Sequence, residues 1–142
     1  MTRATVITDA SFCHKTKAAG WAVWIVFDIP IDGTKRLKRS GVFKTRPKTS
    51  SEAERLAMFN GLALAYNWGA RRILVQSDCE GILRHDCPIY QKAAKGYWPT
   101  AIVLFRHVKG HQCPNTDARS FVNNWCDYNA KRHMRAQRTL RA

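Results

Sequence analysis

Short apolar blocks dominate the first third of the chain, and their length is that of strands. Residues 4–11, ATVITDAS, are rich in β-branched types and predict a first strand, and residues 20–27, GWAVWIVF, predict a second one that is buried on both faces. Residues 35–44 are basic and alternating, which predicts a third strand with an exposed edge or face. A polar turn over residues 11–20 and a Pro/Asp-Gly turn over residues 28–33 join these strands, so we expect them to pair antiparallel.

The apolar spacing then becomes helical. A central helix is predicted from Glu52 to Trp68, with Gly69 as its C-terminal stop and one apolar stripe made of Leu56, Phe59, Ala63 and Tyr66. The remaining elements are predicted in this order: a strand over residues 72–77, a short helix from Glu80 that ends before Pro88, a loop over residues 89–100, a strand over residues 101–108, a loop from Lys109 to about Ser120, and a helix over residues 124–137.

The element order β-β-β-α-β-α-β-α predicts an α/β fold, with a five-stranded mixed sheet and helices on both faces. We expect residues 1–142 to form one domain with a basic C-terminal tail that frays. Parallel pairing of the first and fourth strands would bring Asp9 and Asp78 together, because each lies where its strand ends.

Charge narrows the class of partner. The net charge is +14 and the isoelectric point about 10.1, which predicts binding to a polyanion such as nucleic acid or an anionic membrane surface. The apolar run from Trp21 to Phe27 is too short to span a bilayer, and no signal peptide precedes the first strand, so we expect no membrane segment and an intracellular, cytoplasmic protein. Five cysteines without a CxxC pair indicate a reducing compartment and do not predict a zinc site.

Only ten residues are acidic, and four of them occupy informative places. Asp9 and Asp78 follow strands, while Glu54 and Asp127 are predicted in the first turns of helices. A cluster of such carboxylates needs cations and would suit magnesium, which prefers oxygen ligands. Each acid also has a local alternative: Asp9 as a turn residue after its strand, Glu54 in a capping box that begins at Ser51, Asp78 as a helix N-cap, and Asp127 as a capping partner of Asn124.

The same four positions match a family pattern. The chain resembles type 1 ribonuclease H, the family whose catalytic domain also occurs in reverse transcriptases. The resemblance extends from Thr5 to Ala130 in the family's order, through TVITDAS, GWA, SSEAERLAMFNGLALAYNWGARRILVQSD, RHVKGH and NNWCDYNA.

This resemblance implies a ribonuclease H-like fold and an endonuclease that hydrolyses the RNA strand of RNA–DNA hybrids, leaving 5′-phosphate and 3′-hydroxyl ends by two-metal-ion catalysis. It implies two Mg²⁺ ions, with Mn²⁺ as an alternative, an RNA–DNA hybrid as partner, and a monomer. Its metal ligands fall on Asp9, Glu54, Asp78 and Asp127, with Glu52 as the competing candidate for the second. The further catalytic residue is His111, and the substrate-binding residues are Ser11, Thr49, Ser50, Ser51 and Asn123.

Two alternatives stay open, and one departure from the family matters. The four acids also suit a structure-selective DNA nuclease such as a junction resolvase, and the positive charge alone suits a non-catalytic nucleic-acid-binding module. Only 33 positions separate Asp78 from His111, which leaves no room for the extra helix and basic handle of many family members. Phosphates must then be bound elsewhere, with candidates at Arg46, Lys48, Lys92, Lys95 and Lys109.

Overall fold

A computed structural model of the chain describes residues 2–78, 80–107 and 118–141. The elements follow the predicted order: β1 (Arg3–Phe12), β2 (Ala19–Ile31), β3 (Thr34–Val42), α1 (Ser50–Asn67), β4 (Arg72–Ser77), α2 (Glu80–Tyr97), β5 (Ile102–His107) and α3 (Ala118–Arg141). None of the helices in these residues is long and apolar enough to cross a membrane.

The five strands form one mixed sheet in the order β3-β2-β1-β4-β5. β1 pairs antiparallel with β2, and β2 with β3, whereas β1–β4 and β4–β5 are parallel. The predicted parallel pairing of the first and fourth strands is therefore confirmed. Because β1 lies at the centre and β4 beside it, the carboxyl ends of both strands meet at one edge of the sheet.

Helices cover both faces of the sheet, as predicted. On one face, α1 and α2 pack over a core that includes Val6, Ile25, Met58, Leu62 and Val75. The other face is covered by α3, where a second cluster holds Ile7, Ala22, Trp24, Val122 and Cys126. Alternate residues of β1 thus belong to different cores, which is the period-2 pattern of a strand buried on both sides.

The central helix differs from its prediction in the face that it buries. Its buried residues are the small and flexible Ala53, Ala57, Met58, Gly61, Leu62 and Ala65, and not the predicted stripe of Leu56, Phe59, Ala63 and Tyr66, which is only partly buried. Close packing explains the choice: a Cβ atom on Gly61 would lie 2.6 Å from Cγ1 of Val6 on β1. The predicted stop is correct, because Gly69 has a positive φ of 112° and its N–H donates to the Tyr66 carbonyl.

The first hairpin and the second are tighter than predicted. Of the residues 11–20, the first two belong to β1 and the last two to β2, so the connection between these strands comprises residues 13–18. β2 continues through Pro30. This proline lies between Val26 and Ile31, where the register of β2 with β3 shifts. Its missing N–H therefore interrupts no regular ladder of hydrogen bonds between the two strands. The turn itself is Asp32-Gly33, and both residues have positive φ, as a two-residue hairpin turn requires.

The second helix is the largest error of the prediction. It does not end before Pro88 but runs to Tyr97, with Pro88 inside it, so the predicted loop over residues 89–100 is mostly helix. The segment after the proline is held by packing: Tyr90 and Ala94 are buried in the core, and Tyr90 makes edge contact with the Phe59 ring at 5.9 Å. Tertiary contacts thus outweigh the hydrogen bond that proline removes.

The last helix is longer than predicted at both ends, from Ala118 to Arg141. The basic segment that we expected to fray continues the helix, and Gln137 near its end accepts a hydrogen bond from the Ala19 N–H through Oε1, at 2.8 Å. A close approach to β2 accompanies this contact, because a Cβ atom on Gly20 would lie 2.2 Å from the Ala130 carbonyl oxygen.

Candidate functional site

Two carboxylates meet where the pairing of β1 with β4 ends. The last pair in this parallel register is Thr8 with Ser77, and Asp9 and Asp78 follow it. Asp78 follows the end of β4, but Asp9 lies within β1, which continues beside β2 to Phe12, so its predicted place at the end of the strand is wrong. Asp9 is only 7% exposed and its backbone pairs with Ala22 on the other side. The predicted meeting of Asp9 and Asp78 is therefore a direct consequence of the parallel pairing.

A third carboxylate comes from α1. Thr49 is the N-cap, and its Oγ1 accepts a hydrogen bond from the Glu52 N–H at 3.1 Å. Glu52 is thus the acid of the first turn, and Glu54, two residues later, is the fifth residue of the helix, so neither the predicted first-turn position of Glu54 nor its capping alternative holds. One ligand oxygen from each of Asp9, Glu54 and Asp78 lies within 4.8 Å of the others.

Burial makes this cluster electrostatically unfavourable without a cation. Desolvation, followed by the negative charges of Asp78 and Asp127, raises the pKa of Asp9 to about 8. Desolvation and the charge of Asp9 raise the pKa of Glu54 well above its usual value. Both carboxyl groups therefore favour the protonated form when no cation is bound.

The donor set fits a hard divalent cation. Oε2 of Glu54 is buried and has no hydrogen-bond partner among the residues that the structure describes, although burying an unpaired carboxylate oxygen is costly. Three carboxylates supply only oxygen ligands, which suit Mg²⁺ or Mn²⁺ and not a soft metal. A cation bound between them would satisfy the orphaned oxygen and remove the repulsion among the three charges.

The fourth acid lies beside this cluster. Asp127 is the tenth residue of α3 and not a first-turn residue as predicted, since the helix begins earlier than its apolar pattern. Its charge contributes to the raised pKa of Asp9, which places the two groups in electrostatic reach. Oδ2 of Asp127 forms an ion pair with Lys131 Nζ at 3.1 Å, and the side chain of Asp127 is 30% exposed.

Sequence reasoning missed Lys131 as a partner of this site. The signal was present, because an acid and a lysine four residues apart on a helix are neighbours. Cys126, one residue before Asp127, is buried, and burial raises the pKa of its thiol. It donates to the Ile7 carbonyl at 3.7 Å and so contacts β1 from α3.

Sequence comparison supports an assignment. A family model described as reverse transcriptase-like, which represents a ribonuclease H-like domain, matches residues 7–87, more than half of the chain. The match includes Asp9, Glu54 and Asp78. The chain belongs to this ribonuclease H family. No curated protein matches it in sequence.

Solved ribonuclease H structures share the fold. The N-terminal RNase H domain of a Mycobacterium tuberculosis protein, as a fusion with maltose-binding protein, is 17% identical, with full coverage of both chains and a TM-score of 0.72. RNase H1 from Halobacterium salinarum is 18% identical, covers 94% of this chain and 98% of its own, and has a TM-score of 0.65. LC11-RNase H1 in complex with an RNA/DNA hybrid is 15% identical, with coverages of 94% and 97% and a TM-score of 0.52.

The residues predicted to contact substrate lie within five positions of Asp9, Glu54 or Asp127 on the same elements or at their start. Thr49, Ser50 and Ser51 are exposed at the start of α1, although Thr49 also caps the helix. Ser11 is half-buried two residues after Asp9 on β1, and Asn123 is half-buried one turn before Asp127 on α3. His111 lies outside the described residues.

Proposed function

We propose that this ribonuclease H-like chain is a metal-dependent endonuclease that hydrolyses the RNA strand of RNA–DNA hybrids, leaving 5′-phosphate and 3′-hydroxyl ends. The observation that carries the proposal is the convergence of Asp9, Glu54 and Asp78 within 4.8 Å on this fold. The net charge of +14 supports a polyanionic substrate.

Asp9, Glu54 and Asp78 are the proposed ligands of one divalent cation, and Asp127, together with Asp9, of a second. Mg²⁺ is the proposed metal and Mn²⁺ the alternative. When bound, such ions lower the pKa of a water nucleophile and stabilise the leaving oxygen of a phosphodiester. Burial removes water from the carboxyl groups of Asp9 and Glu54. A cation bound there would therefore have little water to compete with for these ligands.

The chain's own residues would position the substrate. Ser11, Thr49, Ser50, Ser51 and Asn123 are the proposed readers of the hybrid, since hydroxyl and amide groups donate to and accept from the 2′-hydroxyls that distinguish RNA from DNA. Thr49 uses its oxygen to accept from the Glu52 N–H, which leaves its own hydroxyl proton to donate. His111 is proposed to assist turnover, and the catalytic unit to be one domain of residues 1–142 that acts as a monomer.

Cleavage assays test the proposal. A labelled RNA–DNA hybrid is incubated with the protein and Mg²⁺, beside an RNA duplex, a DNA duplex and a four-way DNA junction. We expect cleavage of the RNA strand of the hybrid alone. Cleavage confined to the junction would identify a junction resolvase, and binding without cleavage would identify a non-catalytic binding module.

A matched pair of variants tests the site. Glu54→Gln removes a proposed ligand, whereas Glu52→Gln changes the neighbouring acid whose backbone N–H, and not its carboxylate, meets Thr49. We expect the first to lower kcat at least about a hundredfold, because electrostatic and metal-holding groups contribute on that scale, and the second to leave it within about threefold. Equal effects of the two would contradict the assignment of Glu54.

A further inference from the structure

One flank of α3 carries a line of positive charge that starts at the acidic site. Asp127 is followed on this flank by Lys131, Arg135 and Arg138, at intervals of four, four and three residues. Side chains at these intervals lie on the same side of a helix. The buried residues Val122, Cys126, Ala130 and Met134 form the face toward the sheet, and Arg135 and Arg138 are exposed.

The turn between β1 and β2 lies beside the far end of this flank. Hydrogen bonds from Thr16 and, to a smaller extent, the charge of Arg138 lower the pKa of the Cys13 thiol to about 7, so Arg138 is close to this turn. The hydrogen bond from Ala19 N–H to Gln137 Oε1 fixes the same contact. The turn adds the exposed Lys17, whose Nζ lies 5.5 Å from the Phe12 ring centroid.

α3 carries more positive than negative charge. The helix holds six Lys and Arg residues and a single acid, Asp127, which is paired with Lys131. No acid occurs between residues 10 and 27 either, so the turn brings none to the flank. Arg135, Arg138 and Lys17 are exposed, and neither α3 nor this turn supplies them with an acid, so these cations would lower the free energy of a bound polyanion.

The dimensions suit a nucleic acid strand. At a rise of about 1.5 Å per residue, Lys131 and Arg138 are about 10 Å apart along the helix axis. Over that distance one strand of a duplex carries about three phosphates. Lys131, Arg135, Arg138 and Lys17 form what we term the α3 cationic flank.

We propose that the α3 cationic flank binds backbone phosphates of the nucleic acid that leads away from Asp127. The inference rests on the proposed function for the identity of the nucleic acid, an RNA–DNA hybrid. The segment between Asp78 and His111 is too short to contain a basic handle. The flank would supply phosphate contacts in its place. The flank also begins next to Asp127, a proposed metal ligand, so a nucleic acid strand bound to the flank would be aligned with the acidic cluster.

Salt-dependent binding tests the flank. The full chain with Asp78→Asn, so that substrate is not consumed, is titrated with a fluorescent RNA–DNA hybrid in Mg²⁺ at several salt concentrations. Arg135→Gln with Arg138→Gln removes two flank charges and leaves Lys131 with its Asp127 pair. Arg36→Gln with Arg72→Gln is the matched control, because these residues lie toward the opposite end of the sheet from Asp9.

We expect the flank variant to reduce the slope of log affinity against log salt by about 2, and to bind about tenfold more weakly at 0.1 M salt. The control should keep the parent's slope, and the charge-preserving pair Arg135→Lys with Arg138→Lys should keep it too. In the catalytically intact chain, the flank variant should raise KM for the hybrid and leave kcat unchanged.

Equal loss of slope in the flank variant and the control would overturn the proposal, because it would show only a response to total charge. Absence of hybrid binding by the parent would overturn it as well. A reduced salt dependence of affinity in the flank variant alone would support phosphate binding by the flank, even if the wild-type chain does not cleave the hybrid. Absence of cleavage would then reject only the proposed activity. Melting curves verify that each variant is folded.

Discussion

Asp9 on the central strand and Glu54 on the helix that packs on it bring carboxylate oxygens within 4.8 Å of each other. Burial and repulsion among the carboxylates raise the pKa of both groups, so the pair favours protonation when no metal is bound. Protonation, metal binding and stability of the domain are linked through this pair.

Asp9→Asn should stabilise the metal-free protein. The folded-state pKa of about 8 lies above the ordinary value of an aspartate, 3.8, so the folded state binds more protons and its stability falls as pH rises from about 4 to 8. The neutral amide removes this loss, and we expect a gain of about 2 kcal/mol in the free energy of unfolding at pH 7. Denaturant unfolding in EDTA measures it, with Asp32→Asn in the exposed β2–β3 turn as the control.

The pH dependence of stability is a second test of the raised pKa of Asp9. The stability of the wild type in EDTA should decrease between pH 5 and pH 8, and that of the Asp9→Asn variant should decrease less steeply. The variant should also have lost hybrid cleavage. A variant less stable than the wild type at pH 7 would show that the cluster is held by favourable contacts of the carboxylate, contrary to the raised pKa.

Binding of Mg²⁺ should release protons. A metal must displace the protons that the raised pKa values of Asp9 and Glu54 favour, so its affinity should increase as pH rises toward about 8. Calorimetric titration in buffers of different ionisation enthalpy measures the number of protons released. We expect a value near one at pH 7, and a value of zero would mean that the ion binds without Asp9 or Glu54.

The sequence predicted the parts of the site that depend on strands. Asp9 and Asp78 follow β-branched runs, and parallel pairing is enough to bring the ends of such strands together. Glu54 required the family pattern, because residue types alone left Glu52 as a rival. The structure separates them, since a carboxylate oxygen of Glu54 lies within 4.8 Å of Asp9 and Asp78, whereas Glu52 is the acid of the first turn behind the Thr49 cap. Asp127 was predicted as an acid of the site but at the wrong place in its helix.

The errors have a common physical cause. Helix boundaries depend on contacts that are distant in sequence: Tyr90 and Ala94 extend α2 past a proline, and Gln137 contacts β2 from the basic end of α3. The buried face of α1 was missed because the helix approaches the sheet through alanine and glycine, which carry a weak hydrophobic signal. Large aromatic residues such as Phe59 instead contact α2.

Pro88→Ala should stabilise the domain. Pro88 lies inside α2 and is exposed, so its ring is not needed to fill the core, while its missing N–H costs a helical hydrogen bond. We expect an increase of about 1 to 3 kcal/mol in the free energy of unfolding, measured by urea denaturation. Lys92→Ala, an exposed position of the same helix, is the control and should change it by less than about 0.5 kcal/mol.

Gly20→Ala should displace α3 from the sheet. The added Cβ would lie 2.2 Å from the Ala130 carbonyl oxygen and 2.7 Å from the Met134 nitrogen, and both are backbone atoms that cannot turn away. We expect a loss of about 2 to 4 kcal/mol in unfolding free energy, together with weaker metal binding wherever Asp127 contributes, because Asp127 moves with its helix.

Gly41→Ala is the matched control for this change. Gly41 pairs with Trp21 on the adjoining strand, and its added Cβ would lie 3.5 Å from the Trp21 ring, an ordinary contact. The control should therefore keep both stability and metal affinity. If Gly20→Ala were tolerated equally well, α3 would have room to shift on β2, and the position of Asp127 beside Asp9 would be set by contacts other than this close approach.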